Sequence, residues 1–260
     1  LKKILGGLLL IVVVVWAAWI VCPLSVFESA LERFGRGRDI TIRCEGLKKG
    51  YFYRLSADRV RFERLGKTLL SLERVSAGLD PLRLFKVQVA VFVRGGVGQG
   101  IVEGYATRSQ RAMQTDFTFS DVPLADVEAL SNAGIRGTGR ISGRASLGGH
   151  EGRISFQIAD AALEPVTFEA VALPLNMFHA IRGTIDTEGP AHRIAVSLEG
   201  EHIYARLRGT VQSRVADGVI ELMPERDLLE NPFFLSQMER YQVSPGYYVI
   251  PVKRRFSFGP

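Results

Sequence analysis

Histidine and cysteine are scarce in this chain. Of 260 residues, four are His and two are Cys. Cys22 closes an apolar N-terminal run and Cys44 stands in a candidate strand. Two cysteines so placed make no disulfide framework. His150, His179, His192 and His202 show no H-x-x-x-H spacing, so no metal site is expected. A G-x-S-x-G elbow is also missing. The run Gly95-Gly96-Val97-Gly98-Gln99-Gly100 lacks the Lys-Ser/Thr of a P-loop and the spacing of a dinucleotide loop, and it reads as a strand-connecting turn. No catalytic or cofactor-binding residue is singled out, and a non-enzyme is expected.

Charge of one sign is also lacking in blocks. The net charge is +6 and the sequence pI about 9.5, but the basic residues are scattered. The tightest groups are Lys48-Lys49 and Lys253-Arg254-Arg255. A basic surface suits anionic lipid. No recognition helix or aromatic RNA-binding motif is present, so no nucleic-acid partner is expected. With 47% hydrophobic and 23% charged residues and no low-complexity tract, the body is globular in composition.

What the sequence does have is one long uncharged segment. From Ile4 to Phe27 there is no charge, and 13 of the 21 residues Ile4–Leu24 are Leu, Ile or Val. As a helix this core spans about 31 Å, the thickness of a bilayer core. Ile4, Leu8, Val12, Trp16, Trp19 and Leu24 are the expected anchor residues, with the indoles near the interface. No small-x-small cleavage site follows, and Val21 before Cys22 is not the small residue of a lipoprotein site, so an uncleaved anchor is expected. Lys2 and Lys3 favour a cytoplasmic N-terminus, while Arg33, Arg36 and Arg38 weaken that bias. Phe27, Ala30, Leu31 and Phe34 keep helical spacing beyond the anchor, and Gly35 and Gly37 end it. Residues 1–37 therefore read as an anchor continuing into a helical stalk.

The remainder, 38–260, reads as sheet. Apolar residues alternate with polar ones in Ile40/Ile42/Cys44, Val60/Phe62, Val87/Val89/Val91/Val93, Phe117/Phe119 and Ile154/Phe156/Ile158. Ile194/Val196/Leu198 and Ile203/Ala205/Leu207 continue the pattern. Short helices are expected at 80–85, at 122–130 and, broken by Pro232, at 228–241. An internal echo links about 116–145 with 165–190: Thr118-Phe119 precedes Arg136-Gly137-Thr138 as Thr167-Phe168 precedes Arg182-Gly183-Thr184. The expected fold is mainly β: a single transmembrane helix, then an extended, curved antiparallel sheet with few short helices. Such a sheet must close on itself, dock a partner or hold lipid on its apolar face.

Four stretches carry a family resemblance. They are Lys2-Lys3-Ile4-Leu5-Gly6-Gly7; Leu55-Ser56-Ala57-Asp58-Arg59-Val60 leading to Asp80-Pro81-Leu82; Gly137-Thr138-Gly139-Arg140-Ile141-Ser142-Gly143; and Gly246-Tyr247-Tyr248-Val249-Ile250-Pro251-Val252. In these the chain resembles the GspN proteins of type II secretion, in the form related to AsmA-like periplasmic proteins. It departs from that pattern after Pro251, where Lys253-Arg254-Arg255 replace an expected glycine. The resemblance implies a taco-shaped sheet or open barrel, and a bacterial inner-membrane protein with its body in the periplasm. It further implies an accessory role in protein secretion, with other secretion components and the membrane as partners and no cofactor. An alternative it suggests is a lipid-transfer module or a lipopolysaccharide-export bridge of the LptC-like kind. Phospholipid is then a candidate ligand, facing Val89, Val91, Phe156 and Ile158.

Overall fold

Period-two alternation along so many segments commits the backbone to strands, because successive side chains of a strand point to opposite faces. A computed structural model gives the architecture. It describes residues 16–17, 19–36, 40–51, 53–80, 88–108, 113–149, 151–168, 171–173, 175–213, 215–225 and 238–255. The first strands are β1 (Thr41–Glu45), β2 (Lys48–Lys49), β3 (Arg54–Arg64) and β4 (Lys67–Leu79). Next come β5 (Val89–Val97), β6 (Gly100–Arg108), β7 (Met113–Pro123), β8 (Gly137–Gly148) and β9 (Glu151–Leu163). After a small hairpin of β10 (Val166–Phe168) and β11 (Val171–Leu173) follow β12 (Phe178–Glu188), β13 (Ala191–Gly200) and β14 (Ile203–Gln212). The last are β15 (Val215–Pro224), β16 (Gln242–Ser244) and β17 (Tyr247–Arg255).

Fifteen of these strands form one open antiparallel sheet. Its order is β1-β3-β4-β5-β6-β7-β8-β9-β12-β13-β14-β15-β17-β16, with β2 also paired to β3. Nearly every strand pairs with its neighbour in sequence, so short turns set the registers. The glycine-rich run holds such a turn at Gly98-Gln99, between the end of β5 and the start of β6: Val97 pairs with Gly100, and Gly98 takes the positive φ of 55° that the tight link requires. At the other end, β17 runs straight through Lys253, Arg254 and Arg255.

Six of the described ladders carry a register shift, and three of these shifts are alike. They fall at Arg74, Asp121 and Asp160, each a non-glycine residue with φ near 50°. A bulge bends its strand and increases local twist. Asp160 is tied across its bulge to Arg140, and the backbone N–H of Asp121 donates to Ser142 Oγ at 3.0 Å.

The helices are short, as expected. A 3-10 turn at Leu124–Asp126 and helix Glu128–Asn132 replace the single helix read at 122–130. Another 3-10 turn spans Leu175–Met177, and a third Glu239–Tyr241. The stretch 81–85 and most of 228–241 lie outside the described residues. The second half of the echo is built differently from the first: Thr167-Phe168 sits in the separate β10–β11 hairpin, not in the main sheet.

At the N-terminus, Ile4, Leu8 and Val12 lie outside the described residues. No helix among the described residues is long and apolar enough to cross a membrane. The described part of the segment is helical to Val21 and then breaks at Cys22-Pro23. Proline ends a helix at the residue before it and favours the start of the next. Helix α1 (Leu24–Arg36) is thus a separate element, and the continuous stalk read from the sequence is corrected. Leu24 opens this second helix, half-buried. Packed on β1, α1 brings Glu28 near Cys44, whose thiol pKa is raised first by burial and then by that carboxylate.

The two indoles differ. Trp16 is 40% exposed, whereas Trp19 is 7% exposed. Its ring meets Phe27 and Tyr53 edge-on, at 5.2 and 5.4 Å, and its N–H donates to the Gly50 carbonyl at 3.1 Å. Lys49 Nζ donates to the carbonyls of Ile20 at 2.9 Å and Cys22 at 2.6 Å. It therefore satisfies carbonyls that the helix break leaves without partners.

Candidate functional site

The registers sort the side chains into two faces. One row on the apolar face runs Ile141–Ile158–Ile181–Leu198–Ala205–Leu222 from β8 to β15. Beside it, two residues along each strand, runs Phe119–Gly143–Phe156–Gly183–Val196–Leu207, from β7 to β14. Ile154, Ile185 and Ile194 make a third.

The first row is covered. Leu124, from the 3-10 turn after β7, packs with Ile158, Ala161, Leu163 and Ile181, and Leu175 closes over the same cluster. Toward β17, Phe178, Ile203, Leu222, Met238 and Tyr248 form another buried cluster. A third joins β1, β3 and β4 to Val97 and Val122. The second and third rows are only half-buried at Phe156, Val196, Leu207, Ile154, Ile185 and Ile194. Across the six strands β7, β8, β9, β12, β13 and β14 such a strip is about 24 Å long.

Glycines keep this strip low. Gly104, Gly143 and Gly183 stand opposite Phe117, Phe119 and Phe156 on neighbouring strands. A Cβ on Gly143 would come within 2.6 Å of the Phe119 ring, and one on Gly104 within 2.6 Å of Phe117. The rings occupy the space above the glycines, shielding backbone that would otherwise be bare.

All four sequence-predicted lipid-facing residues fall on this apolar face. Val89 is 43% exposed, and Val91 and Phe156 are half-buried. Ile158 is 8% exposed beneath the Leu124 cluster, so it belongs to the core and offers no open surface.

The opposite face is polar and largely ion-paired. Arg43–Glu63 at 3.1 Å, Arg59–Glu73 at 3.3 Å, Arg61–Glu45 at 3.0 Å and Arg153–Asp186 at 2.5 Å are cross-strand pairs or diagonals. The hydrogen bond from Arg153 holds the Asp186 carboxyl below its ordinary pKa. Exposed pairs of this kind add little stability but fix register and disfavour slippage.

One part of the polar face is built differently, and the alternation pattern alone did not mark it. Ser142, Gln157, Arg182, Ser197 and Arg206 align on one register line across β8, β9, β12, β13 and β14. The adjoining line holds Ser155, Thr184, Ala195 and Arg208. Together they line a trough of about 590 Å³ with no carboxylate among the described lining residues. A second groove of about 680 Å³ lies at the strand ends, but both its arginines are matched, Arg153 to Asp186 and Arg193 to Glu188 at 2.9 Å.

Among the described residues no three His, Cys, Asp or Glu side chains gather as metal ligands. His192 faces Thr187 at 3.0 Å and His202 faces Glu225 at 3.3 Å, both exposed. His150 lies outside the described residues. Compared with known protein families, curated proteins and solved structures, the chain finds no match, so its sheet and its two faces stand as the basis for a functional reading.

Proposed function

We propose that this chain is a non-catalytic accessory of type II protein secretion, anchored in the bacterial inner membrane with its body in the periplasm. Its sheet acts as a scaffold whose apolar strip receives a partner. The observation that carries the reading is the half-buried apolar strip from β7 to β14, which the short helices among the described residues do not cover. An open apolar strip left in water is costly, at about 25 cal/mol per Å² that could be buried, and its usual role is contact. The resemblance of the GspN-like stretches is what supports the proposed place of action.

A photoreactive residue at Val89 or Phe156 tests this in cells. Adducts with inner-membrane secretion components are expected. Deletion that impairs secretion with no such adduct from either position sinks the scaffold reading.

The rings lying over Gly104, Gly143 and Gly183 favour a second reading, a lipid-transfer module of the AsmA-like or LptC-like kind. A low, continuous strip suits acyl chains sliding across strands. Phospholipid should then be retained on purification in native mass spectrometry, and Phe156→Asp should remove it. Lipid-free protein in gentle detergent counts against this second reading alone.

A further inference from the structure

We infer that the polar trough across β8, β9, β12, β13 and β14 is a binding site for a phosphate ester, with Arg182 and Arg208 as its anion ligands. The first ground is charge. Three arginines line the trough with no acid among the lining residues. Among the described residues only Arg206 of the three has a carboxylate in reach, Glu221 at 4.0 Å on the adjoining strand. Arg206 also donates to the Tyr204 hydroxyl at 3.5 Å. Arg182 and Arg208 are exposed and make no ion pair among the described residues. On the neighbouring stretches of these strands Arg140, Arg144, Arg153 and Arg193 are each matched by an acid, so the unmatched pair is a local departure.

The second ground is the lattice of the sheet. Arg182 and Arg206 share one register line, two strands apart, about 10 Å between backbones. Arg208 stands two residues further along β14, opposite Ala195. The small Ala195 side chain leaves the floor between Thr184 and Arg208 low. Side chains as long as arginine bridge such a gap, and the guanidinium fork matches phosphate oxygens in a bidentate way.

The third ground is the company these arginines keep. Ser155, Thr184 and Gln157 line the same trough and make no side-chain hydrogen bond among the described residues. They offer donors and acceptors to the hydroxyls of a sugar or glycerol carried by the phosphate. The volume lies within the range of small-ligand pockets, about 300–1,000 Å³. A bare acyl chain gains nothing here, so the ligand group is distinct from whatever covers the apolar strip.

The test uses the full chain in nonionic detergent, with pyrophosphate, sn-glycerol 3-phosphate and short-chain phosphatidylglycerol or phosphatidylcholine as calorimetric probes. R182Q and R208Q should each weaken pyrophosphate binding about tenfold. R182K with R208K should retain part of the affinity, and K67Q, distant in the sheet, should leave it unchanged. Circular dichroism verifies that each variant is folded. Binding of the soluble phosphates, sn-glycerol 3-phosphate above all, supports a free phosphate ester. Failure of those probes, with arginine-dependent binding of phosphatidylglycerol but not phosphatidylcholine, supports a lipid headgroup as the source. Equal affinity in wild type and R182Q/R208Q, an equal loss in K67Q, or no binding of any probe overturns the inference. So does binding of polyglutamate in place of the phosphates.

Discussion

Gly183 shows how much one missing methyl can decide. It pairs with Phe156 on β9 and Val196 on β13, and the Phe156 ring fills the volume where a Cβ would stand. Replacing it with alanine forces the ring off its rotamer or pushes the strands apart. Overpacking of that kind costs about 1–3 kcal/mol. Urea unfolding of Gly183→Ala should therefore show a loss of that size with the slope unchanged. A change within about 0.5 kcal/mol would mean that the ring moves freely and does not fix the strip. The contrast with Gly66 is useful, since nothing lies within 4 Å of a Cβ built there. Arg182 and Arg208 make the same point from the polar side. Each is an ordinary exposed arginine by sequence, and only the strands beside it give it a role.

Among the elements, the link at Cys22-Pro23 matters most. Proline divides the N-terminal helical run from α1, and Lys49 on β2 closes the gap by holding the carbonyls of Ile20 and Cys22. The same ammonium stands 5.6 Å from the Trp19 ring. The end of the N-terminal segment is therefore fastened to the β2–β3 turn and does not swing on a free stalk. Lys49→Met removes both bonds while keeping the aliphatic stem. A net loss of about 1 kcal/mol for such bonds multiplies local opening about fivefold. Limited proteolysis should then cut within 20–24 about fivefold faster, with the sheet itself intact. Unchanged cleavage would show that Trp19 alone holds the link.

At the scale of the molecule, each strand contacts mainly its two neighbours in an open row. Stability in such an array is close to a sum of nearest-neighbour terms, and ends open before the middle. The edges are a five-residue strand, β1, and a three-residue strand, β16, in which Val243 is 66% exposed. Amide exchange should be fastest in β1, β2 and β16 and slowest in β8, β9, β12 and β13. Uniform protection across all of these would mean a single cooperative core instead. Short edge strands also limit edge-to-edge pairing, so the wide faces are left as the contact surfaces.

The sequence by itself determined the strands. Alternation in Ile154-Phe156-Ile158 or Ile194-Val196-Leu198 admits one face and one period, and turns at residues such as Gly98 and Gly189 set antiparallel neighbours. It also put Val89, Val91, Phe156 and Ile158 on one face, because period-two spacing survives into the registers. Burial was not legible there: whether Ile158 is open or covered depends on Leu124, which returns from the end of β7 to sit on it. The break before α1 was legible in Pro23, yet the partner that fixes it, Lys49, lies 27 residues on from Cys22. The polar trough was decided by tertiary structure alone. Ser142 and Arg206 are brought into one line by four successive registers across five strands, and no local pattern records a sum of turns.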